Sequence, residues 1–232
     1  MAGVDPRAQD LPAEIPVFPL AGALLLPGGK LPLNVFEPRY LALVEDALAL
    51  GRMFGMVQPD PTPIATDQAG SDQAGTDGEP GLYRIGCLGR ISSFSETDDG
   101  RYLVTLTGLV RFRIESELPP RRGYRRVQVA YVPFLADLDT AAAPVGVPRE
   151  ALLTALRGYF TRRGFDANWD AIRRMADPVL VSTLCMVCPF EPAEKQALLE
   201  APDEAARAGA LLALLQMGAA EPDTPAGGGR LS

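Results

Sequence analysis

LYRIGCLGRISSFSETDDGRYLVTLTGLVRFRIESEL, residues 82–118, is the stretch on which the fold turns. Its β-branched, aromatic and aliphatic residues fall in runs. The strong break between them, Asp98-Asp99-Gly100, is turn chemistry, so the flanking runs read as a hairpin. Farther on, Val110, Phe112 and Ile114 alternate with Arg111, Arg113 and Glu115, and a period of two predicts one buried and one wetted face. GLVRFRIESEL (108–118) and YRRVQVAYVPF (124–134) are expected to add two more strands.

Toward the N-terminus, IPVFPLAGALLLPGGKLPLNVF (15–36) is a series of short apolar runs broken by Pro and Gly, the pattern of brief strands. Pro16, Pro19 and Pro32 each lack the N–H that a central strand donates, which places these pieces at edges or bends. EPRYLALVEDALALGR (37–52) carries Tyr40, Leu41, Val44, Ala47 and Leu48 at helical spacing. Pro38 suits its first turn and Gly51 its stop. A strand is expected at Met53 to Gln58. PDPTPIATDQAGSDQAGTDGEPG (59–81) then repeats DQAG at 67–70 and 72–75 with almost nothing to bury, the composition of a flexible surface loop.

Toward the C-terminus, the small-residue, Pro-containing stretch ADLDTAAAPVGVP (136–148) reads as a linker, and everything beyond it has helical periodicity. Helices are expected over Arg149–Arg163, from about Asp170, over Pro178–Cys188, and as a pair split near Pro202. Leu152, Leu153, Leu156, Tyr159 and Phe160 form the stripe of the first, and Val179 to Val187, apolar on nearly all sides, is expected to be buried. The organisation is thus a flexible tail 1–13, a strand-rich subdomain 14–135, a linker 136–148, a helical bundle 149–217 and a disordered tail 218–232.

Composition narrows the chemistry. The 232 residues contain no histidine, which removes His-based triads, His-containing zinc sites and imidazole switches together. Three cysteines do not make a disulfide framework and suit a reducing compartment. A net charge of −7 disfavours a phosphate-tracking surface. No apolar run is long enough to span a membrane, and MAGVDPRAQDLPAE lacks the basic start and apolar core of a leader, so a cytoplasmic location is expected.

Few residues suggest chemistry directly. Cys185-Met-Val-Cys188 has the spacing of a redox dithiol or half a zinc site, but lies in an apolar helix where cysteines usually pack as small hydrophobes. Glu37 and Arg39 flank a helix start. They either grip a ligand, or Glu37 accepts from the first-turn N–H groups while Arg39 pairs with a carboxylate. Arg111, Arg113, Arg121, Arg122, Arg125 and Arg126 form the basic cluster, either a solvated strand face or an RNA-binding surface.

The segment 15–48 is similar to the opening of Lon-protease N-terminal domains: Phe18-Pro19-Leu20, the Pro27-Gly28 turn, the apolar run Leu31 to Phe36, and Phe36-Glu37-Pro38-Arg39-Tyr40 at the helix start. The likeness continues through Phe54-Gly55, Gly86, Gly89 and Ile91, the turn at 99–102, GLVRFRI (108–114) and EKQALLE (194–200), and covers about residues 14–217. It implies an α+β fold, a PUA-like β-barrel followed by a helical bundle. It also implies a module that recognises polypeptides, exposed apolar or misfolded segments above all, in a preformed groove between barrel and bundle.

The phosphate-binding pattern GxxxxGK followed by Ser or Thr does not occur, so ATP hydrolysis is not expected; the likeness does not extend to a Ser-Lys protease module, so proteolysis is not expected either, and no cofactor is expected. The residues expected to line the peptide site are Phe18, Leu20, Phe36, Arg39 and Tyr40. Phe36 and Tyr40 would form an aromatic pair beside an edge strand at Val17 to Leu20, with Arg39 at a polar rim; the competing reading puts both rings in the core. A PUA-type RNA module using the arginine strand, and a barrel holding a small molecule, are the alternatives.

Deleting Thr66–Glu79 is expected to cost less than about 2 kcal/mol in urea unfolding, because the segment has no apolar face and a long loop adds little closure entropy per residue.

Overall fold

The computed structural model describes residues 7–61, 80–139 and 146–220. In chain order the elements are β1 (Glu14–Pro19), β2 (Lys30–Val35), α1 (Pro38–Ala49), β3 (Met53–Val57), β4 (Pro59–Asp60), β5 (Gly81–Leu82), β6 (Ile85–Glu96), β7 (Tyr102–Arg121), β8 (Tyr124–Ala130), α2 (Arg149–Arg163), α3 (Trp169–Arg174), α4 (Asp177–Val187), α5 (Pro192–Glu200) and α6 (Glu204–Ala220). They divide into two compact units: Met1–Ala143 with Ser182–Glu200, and Pro144–Val181 with Ala201–Ser232. The helices expected to form one bundle are therefore shared, since α5 belongs with the strands and the division falls inside α4.

Unit 1 is built on a mixed six-stranded sheet of order β2-β7-β6-β3-β1-β8, with β7 also pairing with β8. The pairing therefore runs from β7 through β6, β3, β1 and β8 back to β7. Only β1–β3 is parallel. One face of these five strands supplies a single buried cluster that includes Ile15, Val17, Val57, Leu88, Val110, Phe112, Ile114, Val127 and Val129. Gly86 makes room for it, because a Cβ there would lie 2.5 Å from the Phe112 ring.

Two strand expectations are corrected. β1 is not an edge, since it pairs with β8 over Glu14–Val17 and with β3 over Val17–Pro19. Its prolines are tolerated because the two ladders overlap only at Val17, so Pro16 and Pro19 each face one neighbour. The expected strands on either side of Gly108 are one twenty-residue strand, β7. Gly108 does not break it. The glycine admits the 26–29 segment, whose Gly28 N–H donates to the Gly108 carbonyl and whose Gly29 carbonyl accepts from Gly108, both at 2.9 Å.

Alternation in β7 also fails at one position: Arg111, expected on the wetted face, is only 3% exposed. Its guanidinium forks onto Asp137, with Nε–Oδ2 and Nη2–Oδ1 both 2.9 Å, donates to the Leu199 carbonyl at 3.1 Å and stacks over Phe134. A buried charge is held only where such partners replace water. Asp137 lies in the 3-10 turn Val132–Leu138, so residues 136–138, assigned to the linker by composition, are structured.

α1 begins at Pro38 and stops before Gly51, whose φ is +99°. Its buried face is Tyr40, Ala42, Leu43, Val44 and Ala47, rotated from the expected stripe. In unit 2, α2 buries Leu152, Leu153, Leu156 and Tyr159 and ends on the left-handed Gly164. α4 is not buried throughout, because Val179 and Val187 are exposed while Leu180, Val181, Leu184 and Cys185 are covered.

Within the expected loop 59–81, the flanks pair as β4 and β5, and residues 62–79 lie outside the described residues. Residues 140–145 of the expected linker and 221–232 of the C-terminal tail also lie outside them. Of the expected N-terminal tail, residues 1–6 lie outside, whereas Pro12 accepts from the Tyr131 hydroxyl at 2.8 Å.

Gly108→Ala is expected to destabilise the protein by about 2–4 kcal/mol in denaturant unfolding, because its Cβ would stand 2.1 Å from the Leu26 carbonyl oxygen, a backbone atom that has to move.

Candidate functional site

Of the five residues singled out from the sequence, Phe18, Phe36, Arg39 and Tyr40 gather around the start of α1, but not as one surface. Tyr40, on the inner side of the first turn, is 6% exposed and its ring stacks on buried Phe18, with centroids 4.0 Å apart and 15° between planes; Phe54 lies 6.3 Å beyond Phe18. Leu20 is half-buried and donates its N–H to Val57. Phe36, at the end of β2, is 61% exposed with the Arg101 guanidinium 5.7 Å above its ring. The expected aromatic pair is therefore split, with Tyr40 packed inward and Phe36 facing out.

Arg39 lies over the Tyr40 ring at 4.6 Å and bonds Glu37 at 3.1 Å. Glu37 occupies the N-cap but accepts no first-turn N–H, so pairing with Arg39 replaces the capping role expected of it. The result is a layered arrangement. A stacked Phe18–Tyr40 base carries the Arg39 guanidinium, whose side chain is about a third exposed at 36%. Such a base fixes the guanidinium plane, and Glu37 already takes the Nε edge.

The C-terminal half of α1 receives the β7–β8 turn. Arg122 and Gly123 both have positive φ (49° and 86°), the conformation of a two-residue hairpin turn that matches strand twist. Arg122 adopts it without a glycine's freedom, and its guanidinium is held by Asp46 at 2.9 Å and Glu45 at 2.7 Å. Arg121 and the Tyr124 hydroxyl also reach Asp46, the latter at 2.7 Å. The Tyr124 bond, with Arg122, holds the Asp46 carboxyl below its usual range against the opposing effect of burial. Burial and Asp46 push Tyr124 up to about 12. Beside this cluster a pocket of about 490 Å³, open solvent included, is lined by Pro12, Ile15, Pro16, Leu50 and Met53 with Glu14, Asp46 and Arg126.

Most of the arginine cluster is committed to carboxylates. Arg111 holds Asp137, Arg121 and Arg122 hold Asp46, Arg125 holds Glu117, and Arg126 holds Glu14. Each carboxylate cancels the charge that a phosphate would need. Cys87, Cys185 and Cys188 are buried and form no disulfide among the described residues. Lys195 is buried as well, with Nζ on the Gly22 carbonyl at 2.8 Å, and burial lowers its pKa.

Sequence reasoning overlooked two features. The acidic pair Glu45-Asp46 is not singled out by the sequence, since its partners come from a turn about 76 residues on. Phe94 and Leu103 are exposed large apolar side chains in the hairpin that opened the sequence reading. Phe94, the lone bulky residue of SSFSE, was the available signal.

Comparison with known proteins identifies the family. A family model described as the ATP-dependent protease La (LON) substrate-binding domain matches residues 14–217. The chain belongs to that family. It is 28% identical over 224 residues to Lon protease 2 of Sorangium cellulosum, covering 91% of this chain but 26% of that protein. It is 31% identical over 202 residues to the Lon protease of Salinispora arenicola, covering 84% of this chain and 22% of that one. The chain thus spans a minor part of these relatives, and the matched part is the substrate-binding domain.

Among solved structures, a Lon N-terminal domain protein from Xanthomonas campestris superposes with TM-score 0.55 at 25% identity, covering 86% of this chain and 97% of that one. The N-terminal domain of the Mycobacterium avium complex Lon protease, at 17% identity and TM-score 0.53, has the same fold. Among the described residues no helix is long and apolar enough to cross a membrane.

Because the Asp46 carboxyl is held below its usual range, its contribution is present above that range and lost as pH falls through the lowered value. Asp46→Asn is therefore expected to be less stable than the native chain at neutral pH. The difference in urea midpoint should shrink as pH drops below about 4.

Proposed function

We propose that this chain recognises non-native polypeptide, holding exposed apolar segments as part of cytoplasmic protein quality control, and performs no catalytic step itself. The observation that carries this reading is a group of exposed large apolar side chains at one end of the sheet. Phe36, against the Arg101 side chain, and Leu103, two residues further along β7, share one face, while Phe94, paired with Val104 and packed on Tyr102, stands on the other face of the same end. Apolar area grouped this way on a soluble surface marks a contact site. Family membership adds weight, since the matched region is the substrate-binding domain.

In this reading Phe36, Arg39 and Leu20 touch the peptide, and the Phe18–Tyr40 stack sets the angle at which Arg39 is presented. The strand pairing that returns to β7 supports a PUA-like barrel as the scaffold. The arginine–carboxylate pairs favour polypeptide over RNA as partner.

The test uses fluorescent reduced, carboxymethylated lactalbumin, a permanently unfolded probe, against native lactalbumin. Preferential binding of the unfolded probe that changes little with salt is expected, since apolar contacts are weakly screened. Phe36→Ala should weaken binding severalfold without moving the melting temperature, whereas Tyr40→Ala should cost about 3–5 kcal/mol of stability by emptying the stack. Equal binding of both probes, or full binding by a folded Phe36→Ala together with Arg39→Ala, removes the reading.

A further inference from the structure

The far end of β6 is an open sheet edge. β3 leaves β6 at the Met53–Arg90 pair, and the last bond on that side runs from Ile91 N–H to the Arg52 carbonyl at 2.8 Å. Beyond it, β6 continues for five residues, Ser92–Glu96, paired only with β7 among the described residues, and all five are exposed. Which backbone groups face outward follows from alternation in an antiparallel ladder. Thr97 donates to the Arg101 carbonyl at 2.9 Å, so Ser95–Leu103 and Ser93–Thr105 are the bonded pairs. At the intervening pairs, Phe94–Val104 and Glu96–Tyr102, the N–H and C=O of Phe94 and Glu96 turn away from β7 toward the vacant side.

The opposite edge of the same three strands is defended. β2 carries Lys30 and Pro32, devices that discourage pairing. The β6 edge has neither. It reads Ser-Ser-Phe-Ser, with Phe94 set edge-on against Tyr102, centroids 5.0 Å apart. The adjoining tip holds three acids, Glu96, Asp98 and Asp99, against one cation, Arg101.

We infer that the Ser92–Glu96 edge of β6 captures an extended polypeptide as an added strand, through the outward N–H and C=O groups of Phe94 and Glu96. This deepens the proposed function, on which it rests, by naming how the polypeptide is held. Main-chain bonding makes the site tolerant of sequence, and the side chains beside it select within that tolerance. One set of the guest's alternating side chains lies beside Phe94 and Tyr102 and is apolar; the other lies beside Ser93 and Ser95 and is small or polar. A lysine or arginine at one end meets the acidic tip.

The test separates backbone from side-chain capture. Glu96→Pro deletes an outward N–H while leaving the bonded pairs with β7 untouched; Glu96→Ala removes the same side chain but keeps the N–H. With carboxymethylated lactalbumin, Glu96→Pro is expected to bind about tenfold more weakly, and Glu96→Ala to stay within about threefold of the native chain. Amide exchange at Phe94 and Glu96 in the native chain should slow when the probe is added, a readout independent of how either variant folds. Equal binding by a folded Glu96→Pro, or unchanged exchange at both amides, overturns the edge while leaving polypeptide recognition standing. A native chain that does not bind the probe overturns both. Sedimentation that shows a dimer abolished by Glu96→Pro assigns the edge to a second copy and also overturns the inference.

Discussion

β7 is shared by three strands, and unit 1 depends on that sharing. Its first part, Tyr102–Thr107, lies between β2 and β6. Its last part, Arg113–Arg121, pairs with β8, with register shifts within that pairing between Ile114 and Ser116 and between Leu118 and Arg121. Between them lie Gly108, where the 26–29 segment crosses, and Arg111, whose buried guanidinium reaches both Asp137 and the Leu199 carbonyl. Removing one partner of such a buried pair typically costs about 3–5 kcal/mol, because the remaining charge has left water and found nothing in return. The exchange of neighbours along β7 is thus fixed by a glycine that admits backbone and by an arginine that fastens a turn and a helix end to the same strand.

Much of this architecture is legible in residue order. The DDG turn, the strands around it, α1 and the five later helices follow from local chemistry, and the Lon-like motifs fall where the chain is ordered. The failures are non-local. Nothing near Arg111 announces that Asp137 will bury it. No periodicity tells that β1 has neighbours on both sides, since that depends on strands arriving from residues 53–57 and 124–130. At the candidate site the residue types were legible but not their orientation. Phe36 and Tyr40 are separated by a strand end and a helix start, and the turn between them sends one ring out and the other onto Phe18.

The two candidate surfaces differ in mechanical character. Around Arg39 the groups are fixed from beneath by stacked rings and from the side by Glu37, which suits recognition of a defined polar group. Along β6 the offered groups are backbone, regularly spaced and indifferent to what side chains accompany them. On the proposed reading, tolerance of many unrelated chains comes from the second kind of contact, while a fixed guanidinium supplies orientation without demanding a particular sequence.

The return of residues 182–200 to unit 1 has a consequence for the order in which the protein becomes whole. Gly22 waits for Lys195, Gln58 for Gln196 and Arg111 for Leu199, closures spanning 173, 138 and 88 residues. On a ribosome that adds about 5–20 residues each second, the strands therefore leave the tunnel several seconds before the helix that satisfies their interior polar groups. Through that interval the nascent unit 1 is itself an incompletely folded polypeptide, of the class its mature form is proposed to bind.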